Sequence, residues 1–278
     1  MARSLLRKWK QELGGFSMKQ RNTHVLIFGG AGGIGKGIAK KLASEGAHVV
    51  IAGRNIEKLE AAVKELATPT VTWMQADITN IASHQSYFEQ AAEKMGGLSA
   101  FVNATGAYVR PNVYEPWDVT EEEWDRASAI DFKAAFFLMR NEINYLKENR
   151  IKGNILNVAS NAAFMPIFGL YGAAKLAIVE WTKALGRQYG HDGIIINAIA
   201  PGATITPMIA YYADGNDAYP RHAIDRFITV EEQAELAFVL LSNIGEITCA
   251  GTVVSDGGDK GHYLIKTEDG SYHYTNLF

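Results

Sequence analysis

Short apolar segments alternate with amphipathic segments along most of the chain, and this alternation limits the possible folds. Seven apolar runs rich in β-branched residues lie at Thr23–Phe28, His48–Ala52, Val71–Gln75, Ala100–Asn103, Asn154–Ala159, Ile194–Ala200 and Thr252–Ser255. Apolar residues at helical spacing mark the segments Ile34–Ala43, Ile56–Leu66, Ser83–Met95, Trp124–Leu146, Tyr171–Tyr189 and Thr229–Leu241. This order predicts a doubly wound α/β domain with a seven-stranded parallel sheet that is covered on both faces.

Composition and charge exclude several classes of function. The chain has 278 residues, is 47% hydrophobic and carries a formal net charge of −3, which gives no general attraction to nucleic acid or anionic membranes. No apolar run approaches the ~18 residues of a membrane span, and the start lacks the apolar core of a secretory signal. The single cysteine, Cys249, has no Cys or His cluster around it. We predict a cytoplasmic protein without metal, nucleic-acid partner or membrane insertion.

Residues 1–22 are predicted to form a helical extension, and residues 23–278 one dinucleotide-binding and catalytic domain. In the extension, basic residues alternate with Leu6, Trp9 and Leu13. One interpretation is a mitochondrial presequence, although an acidic residue weakens it. The other, which we favour, is a helix whose apolar stripe docks on the domain or on a neighbouring subunit.

Two segments do not follow the alternation. Ala203–Phe227 is polar and aromatic and is predicted to form a lid. The tail from Asp259 to Phe278 carries a turn signal at Asp269-Gly270, so we predict an interface hairpin there.

A glycine-rich turn follows the first predicted strand and opens the first predicted helix. Gly29, Gly33 and Gly35 have the spacing G-x-x-x-G-x-G. Such glycines permit a tight turn and a close approach of a pyrophosphate to the N–H groups at the helix N-terminus. Because any tight strand-to-helix turn can use glycine, the motif alone is a weak signal of a Rossmann-type domain.

Other motifs strengthen this signal. They are Asp77, "NATG" at Asn103–Gly106, "NVAS" ending at Ser160, "YGAAK" at Tyr171–Lys175, "PGATITPM" from Pro201 and "DGG" at Asp256–Gly258. In these motifs and their order the chain resembles the classical short-chain dehydrogenases/reductases. The resemblance implies an enzyme that exchanges a hydride between a nicotinamide cofactor and a secondary alcohol or ketone.

The resemblance also implies which residues bind the cofactor. Asp77 would hold the adenine ring, Asn103 would stabilise the central strand, and Ile205 and Thr206 would touch the carboxamide. The full predicted set is Gly29, Gly33, Ile34, Gly35, Arg54, Asp77, Ile78, Asn103, Thr105, Gly106, Tyr171, Lys175, Pro201, Gly202, Ile205 and Thr206.

The predicted catalytic residues are Ser160, Tyr171, Lys175 and Asp131. Tyr171 and Lys175 are four residues apart, so they share one face of a predicted helix. The ammonium is expected to favour the phenolate, which makes Tyr171 a better base. By resemblance, Ser160 would bond the substrate oxygen, with Asn161 as a possible helper.

Asp131 stands where the family usually has an asparagine that anchors a water leading from the lysine. A carboxylate can accept from the same water, and its charge would favour protonated Lys175. The alternative is a helix residue paired with a basic neighbour.

The choice between NAD(H) and NADP(H) is indicated by the end of the second predicted strand. Gly53 stands where an acidic residue would bind the ribose hydroxyl, and Arg54 follows, which mildly favours NADP(H). Arg54 can equally be a solvated residue, with Asn55 capping the next helix.

Aromatic and aliphatic residues dominate the segments near the predicted site, so we predict an apolar small-molecule substrate. By resemblance to bacterial hydroxysteroid dehydrogenases, including a 20β-hydroxysteroid dehydrogenase, this would be a steroid. The alternatives are a 3-oxoacyl or enoyl thioester reductase and a non-catalytic dinucleotide sensor. The resemblance also implies a homotetramer.

Overall fold

The computed structural model describes residues 23–106, 119–165, 169–206, 217–259, 262–266 and 272–276. The predicted N-terminal extension, residues 1–22, lies outside these ranges, as do residues 207–216 of the predicted lid. Within the described ranges, no helix has both the length and the apolar character needed to cross a membrane.

Seven parallel strands form one sheet, as predicted. They are β1 (His24–Phe28), β2 (His48–Gly53), β3 (Val71–Gln75), β4 (Ala100–Asn103), β5 (Asn154–Val158), β6 (Ile195–Pro201) and β7 (Thr252–Ser255). Their order across the sheet is β3-β2-β1-β4-β5-β6-β7, and each neighbouring pair is parallel. The Rossmann-type doubly wound α/β fold is therefore confirmed.

Helices cover both faces of this sheet. They are α1 (Gly33–Ser44), α2 (Ile56–Leu66), α3 (His84–Met95), α4 (Glu121–Ala127), α5 (Ala135–Glu148), α6 (Leu170–Tyr189) and α7 (Val230–Leu241). Helices α1, α2 and α7 share a core with one face, whereas α3 and α5 pack on the other. In β1, Val25 and Ile27 face the first core and Leu26 and Phe28 the second, because successive strand residues point to opposite faces.

Local signals define several helix starts. The Asn55 side chain caps α2 by accepting from the Lys58 N–H at 2.8 Å. Thr229 and Glu232 form a capping box at α7, in which each side chain binds the other residue's backbone N–H. These caps satisfy N–H groups that have no partner within the helix.

The long helix predicted at Trp124–Leu146 is interrupted. A π-helical turn, Ser128–Ala134, joins α4 to α5. Such turns often occur at functional sites, and this one contains buried Asp131. Periodicity alone predicts one uniform helix because the extra residue changes the register only locally.

The C-terminal tail contains the predicted hairpin strands. β8 (His262–Lys266) and β9 (Tyr272–Asn276) pair antiparallel, with Lys266 opposite Tyr272. The predicted turn at Asp269-Gly270 lies outside the described residues, and the interface role of the hairpin stays a prediction.

The two halves of the sheet meet at β1 and β4. The chain runs outward from β1 through β2 to β3 and outward in the opposite direction from β4 to β7. Ligands of open α/β sheets bind outside the carboxyl ends of the strands at such a reversal. The glycine turn after β1 and the "NATG" turn after β4 therefore lie at the expected position of a ligand crevice.

Candidate active site

The glycine turn after β1 leaves no room for side chains. Gly29 has a φ of +77°, and a Cβ on it would lie 2.5 Å from the Ala104 carbonyl oxygen. A Cβ on Gly35 would collide with the Gly29 carbonyl oxygen. The turn thus requires glycine both for its backbone conformation and for close packing.

Helix α1 begins in this turn at Gly33, and the first N–H groups of a helix have no partner within the helix. No side chain caps it at Gly32, and its first turn contains no acidic residue. An uncapped helix N-terminus beside a glycine turn suits a phosphate group. The local chemistry therefore fits the pyrophosphate of a dinucleotide, and Gly33 and Ile34 lie in the first turn of α1.

Arg54 and Asp77 lie at the carboxyl ends of β2 and β3. Arg54 is exposed, and its carbonyl oxygen accepts from the Gln75 side chain at 3.0 Å. Burial opposes ionisation of Asp77, but bonds from the Thr79 hydroxyl (2.7 Å) and N–H (3.0 Å), together with the Arg54 charge, hold its pKa below the ordinary value. Asp77 is therefore a fixed carboxylate, and buried Ile78 follows it.

Ser160 follows β5 and begins a short 3₁₀ turn, Asn161–Ala163. Its Oγ accepts the Ala162 N–H at 3.2 Å, and its hydroxyl lies 3.5 Å from the Asn161 Oδ1. The Asn161 amide donates to the Asp259 carboxylate at 3.2 Å. Ser160 and Asn161 are therefore placed by neighbours on two sides.

Tyr171 and Lys175 share one face of α6. The Lys175 Nζ lies 5.6 Å from the centroid of the Tyr171 ring and donates to the carbonyl oxygens of Thr105 and Val158, each at 3.2 Å. The Ser160 side chain is hydrogen-bonded to Tyr171. The structure therefore brings Ser160, Tyr171 and Lys175 together beside the "NATG" turn.

The pKa of Tyr171 differs from the expectation drawn from its lysine neighbour. The pKa of Tyr171 is raised to about 12, mainly by burial and also by the Asp131 charge, and the hydrogen bond with Ser160 opposes this rise only in part. The Lys175 ammonium donates to two carbonyl oxygens, and burial of the phenol outweighs the lowering that the sequence predicts. Burial also lowers the pKa of Lys175, although Asp131 favours its charged form as predicted.

Asp131 is buried in the π-helical turn and lies near both residues. A Cβ on Gly106 would lie 3.2 Å from the Lys175 Nζ and 3.6 Å from the Asp131 Oδ1. The carboxylate and the ammonium therefore both lie close to Gly106, and the lack of a side chain there lets both approach the turn.

Asn103 links β4 to elements behind the site. Its amide donates to the Asn157 Oδ1 on neighbouring β5 at 2.9 Å and to the Glu142 Oε2 at 3.0 Å. The Asn157 amide in turn donates to the Thr182 hydroxyl at 2.9 Å. Four elements, β4, β5, α5 and α6, are thus joined by partly buried Asn103 and the buried side chains of Asn157, Glu142 and Thr182.

The segment after β6 holds the remaining predicted residues. Pro201 ends β6, and the Gly202 N–H donates to the Ser255 carbonyl oxygen at 3.0 Å. The Ile205 N–H donates to the Ile228 carbonyl oxygen at 3.0 Å, so this N–H is already used within the protein. Thr206 is the last described residue before the gap in the predicted lid.

Sequence reasoning missed Glu142 and Asp259. Glu142 is fully buried. The sequence could have indicated this, because an acidic residue lies four residues from both Leu138 and Leu146 on the apolar face of the predicted helix. Asp259 has no such signal, because its contact with Asn161 joins segments 98 residues apart. Among the described residues, no group of three or more His, Cys, Asp or Glu residues could hold a metal ion.

Comparison with known proteins gives the family. The family described as short chain dehydrogenase matches residues 23–217. The chain belongs to the short-chain dehydrogenase family. This match covers the glycine turn, the "NATG" turn, Ser160, Tyr171 and Lys175.

Curated relatives of this chain are dehydrogenases and reductases, according to their names. One is a 2,5-dichloro-2,5-cyclohexadiene-1,4-diol dehydrogenase of Sphingobium indicum, 32% identical over 84% of this chain and 95% of the relative. Another is levodione reductase of Leifsonia aquatica, 33% identical over 86% of this chain and 94% of the relative. A short chain dehydrogenase structure from Bacillus anthracis is 33% identical, with a TM-score of 0.75, and covers 87% of this chain and 98% of its own.

Solved structures of similar proteins contain either nicotinamide cofactor. An actinorhodin polyketide ketoreductase with NADPH is 25% identical over 86% of this chain and 97% of its own, with a TM-score of 0.75. A 3-ketoacyl-(acyl-carrier-protein) reductase of Brucella melitensis with NADH is 29% identical, with a TM-score of 0.76. The match covers 84% of this chain and 97% of the reductase chain. The chain is an oxidoreductase of this family, and NAD(H) or NADP(H) is its cofactor.

Proposed function

We propose that Ser160, Tyr171 and Lys175 form the site at which a secondary alcohol and its ketone are interconverted. The observation that carries this proposal is their convergence beside the "NATG" turn, close to the glycine turn that suits a pyrophosphate. The bound nicotinamide supplies or accepts the hydride.

Each side chain has a separate task. In ketone reduction, the Tyr171 hydroxyl gives its proton to the substrate oxygen, and in alcohol oxidation the phenolate takes that proton back. Ser160 donates a hydrogen bond to the same oxygen. Lys175 holds the phenolate by its charge and, when the cofactor is bound, reaches the nicotinamide ribose.

Asp131 connects this site to solvent in our proposal. Its carboxylate accepts from a water that also contacts Lys175, so that protons lost at Tyr171 are replaced. The close approach of Gly106 to both side chains supports a common path. In Asp131→Asn the water would keep an acceptor, so we expect more activity to remain than in Asp131→Ala.

We propose that the cofactor binds along the carboxyl edge of the sheet. Its pyrophosphate would contact Gly29, Gly33, Ile34 and Gly35, which line the start of α1. The adenosine would contact Arg54, Asp77 and Ile78, and the nicotinamide half would contact Asn103, Thr105, Gly106, Tyr171, Lys175, Pro201, Gly202, Ile205 and Thr206. We further propose that exposed Arg54 favours the 2′-phosphate of NADP(H).

The substrate that we propose is an apolar ring compound with a hydroxyl or keto group, such as a steroid. The apolar segment between Ser160 and Tyr171 supports an apolar substrate, and the relative named for a cyclohexadiene diol supports a cyclic one. A thioester is the second candidate, because the Brucella structure is a reductase of acyl-carrier-protein thioesters by its name.

One substrate panel tests these alternatives. Steroid ketones, small cyclic diones, acyclic diones and 3-oxoacyl thioesters are compared by the loss of reduced-cofactor absorbance. We expect the highest kcat/KM with a cyclic ketone. A higher kcat/KM for thioesters than for every cyclic ketone would contradict the proposal and favour the second candidate.

We also propose that the protein is a homotetramer. A groove of about 490 Å³ lies between the π-helical turn, α5 and α6, and Phe132, Phe136 and Trp181 supply most of its apolar lining. Nearby Trp124 is 53% exposed, and exposed apolar patches of this kind are typical of protein interfaces. Phe136→Glu should lower the mass measured by light scattering, whereas Glu148→Gln on the same helix should not.

The division into residues 1–22 and 23–278, and a cytoplasmic location, also remain proposals. Deletion of residues 1–16 should weaken assembly more than it changes turnover. A truncated protein of unaltered mass and melting temperature would contradict a docking role. Fractionation of cells that express the full chain tests the location.

A further inference from the structure

Glu142 is a buried acid that the proposed chemistry does not use. It lies on α5 one turn after Leu138 and is 0% exposed. Burial raises its pKa to about 8, and the bond from Asn103 opposes this only in part. A buried carboxyl group is costly unless it is neutral or well bonded, so its presence at an otherwise apolar helix position requires an explanation.

Two oxygens at this position have no hydrogen-bond partner among the described residues. The Glu142 Oε1 and the Asn103 Oδ1 are both buried without a hydrogen bond. A cavity of about 10 Å³ lies at Asn103, where Thr105 and Asn157 add polar groups to a lining that is completed by Ala135, Leu138, Met139 and Ile178. This is close to the smallest space that holds one water, and the three polar residues in the lining can supply its hydrogen bonds.

The same side chains lead to the catalytic lysine by two routes. Asn103 begins the turn whose Thr105 carbonyl oxygen accepts from the Lys175 Nζ at 3.2 Å. On the other route, Asn157 donates to Thr182 at 2.9 Å, and Thr182 lies on α6 two turns after Lys175. Glu142 therefore bonds to the one residue from which both routes begin.

We propose that Glu142, with one water in this cavity, is a positioning residue that fixes the "NATG" turn and α6 relative to each other. The network sets the place of the Lys175 ammonium against Tyr171, and thus rests on the proposed roles of these two residues. Glu142 itself touches neither substrate nor cofactor. Its effect on turnover is exerted through Asn103.

The conservative variant Glu142→Gln distinguishes positioning from mere packing. Glutamine keeps an oxygen that accepts from Asn103, whereas Glu142→Leu fills the space and removes the acceptor. We expect Glu142→Leu to lower kcat about tenfold with a smaller change in KM, because a small misplacement of reacting groups is costly. Glu142→Gln should stay within about threefold of the parent.

A control on the same helix accounts for lost stability. Ile143 is buried next to Glu142 in the core, so Ile143→Ala should lower the melting temperature while the folded protein keeps its kcat. An equal loss of kcat in Ile143→Ala and Glu142→Leu would overturn the proposal, as would an unchanged kcat in Glu142→Leu.

Thr182→Val keeps the inference testable if Glu142→Leu does not fold. It removes only the hydroxyl that Asn157 bonds, and we expect a loss of kcat of about threefold with KM unchanged. An unchanged kcat would overturn the route through α6. Tyr171→Phe in the same assay separates the two proposals. If Tyr171→Phe keeps its turnover, the proposed chemistry fails. If Tyr171→Phe is inactive while Glu142→Leu and Thr182→Val keep the parent kcat, only the network fails.

Discussion

The two halves of the candidate site are built in different ways. The cofactor half, around Gly29, Gly35 and the start of α1, is formed mainly by backbone atoms of one continuous segment. The catalytic half is formed by side chains from β4, β5, α5 and α6, with shifted pKa values at Tyr171, Lys175 and Glu142. A backbone site responds to steric change, whereas a side-chain site also responds to charge and pH.

The largest effect is expected in the catalytic half. Tyr171→Phe removes the proton donor and should lower kcat about a thousandfold, since a positioned acid or base contributes about 10² to 10⁴. Cofactor affinity, measured by the quenching of protein fluorescence, should change little because the backbone cradle is intact. Tyr189→Phe at the far end of α6 is the control, and it should keep full turnover.

Turnover that survives in Tyr171→Phe would refute the assigned mechanism. A simultaneous large loss of cofactor affinity would show instead that the two halves are not separable in the way the structure indicates.

The next effect is expected in the cofactor half. Gly29→Ala places a Cβ 2.5 Å from the Ala104 carbonyl oxygen at a φ of +77°, so the turn must shift and cofactor affinity should fall at least about tenfold. Gly46→Ala is the matched control, because Gly46 has a φ of +93° but no atom of the described residues lies within 4 Å of its Cβ position. It should cost stability of about 1 kcal/mol without changing cofactor affinity.

A smaller effect should separate the two cofactors. If exposed Arg54 binds the 2′-phosphate, Arg54→Ala should lower kcat/KM for NADPH about tenfold and leave that for NADH nearly unchanged. Lys64→Ala, at the other end of α2, is the charge control. A clear preference of the parent protein for NADH would defeat the arginine argument before any variant is made.

The smallest effect is a change in how stability depends on pH. The ordinary pKa of a glutamate is 4.5, but that of buried Glu142 is about 8, so the folded state binds more protons between these values. Titration of Glu142 therefore lowers the free energy of unfolding as pH rises from 4.5 to 8. Above pH 8 the contribution of Glu142 no longer changes with pH. The slope is at most about 1.4 kcal/mol per pH unit.

Glu142→Gln removes this titration. Urea unfolding of parent and variant between pH 5 and 8 should therefore show a flatter pH dependence in the variant. Parallel curves would mean that Glu142 ionises at its ordinary pKa in the folded protein.

Much of the fold could be predicted from the sequence because its signals are local and periodic. Strands β3, β4 and β7 and helix α2 have the predicted bounds, and the other predicted elements differ by a few residues at their ends. The interruption of the long helix at Ser128–Ala134 could not be predicted, because one extra residue in a turn leaves the apolar periodicity nearly unchanged.

The sequence by itself determined the order of the elements, the glycine turn and the types of residue at the candidate site, since each depends on neighbours in the chain. Only the tertiary structure placed the Lys175 ammonium on two carbonyl oxygens, Asp259 on Asn161, and Glu142 beneath Asn103. It also raised the pKa of Tyr171 where the sequence favoured a lower value. The physical reason is that burial and long-range contacts set the energy of a charge, and neither is encoded in the spacing of residues along the chain.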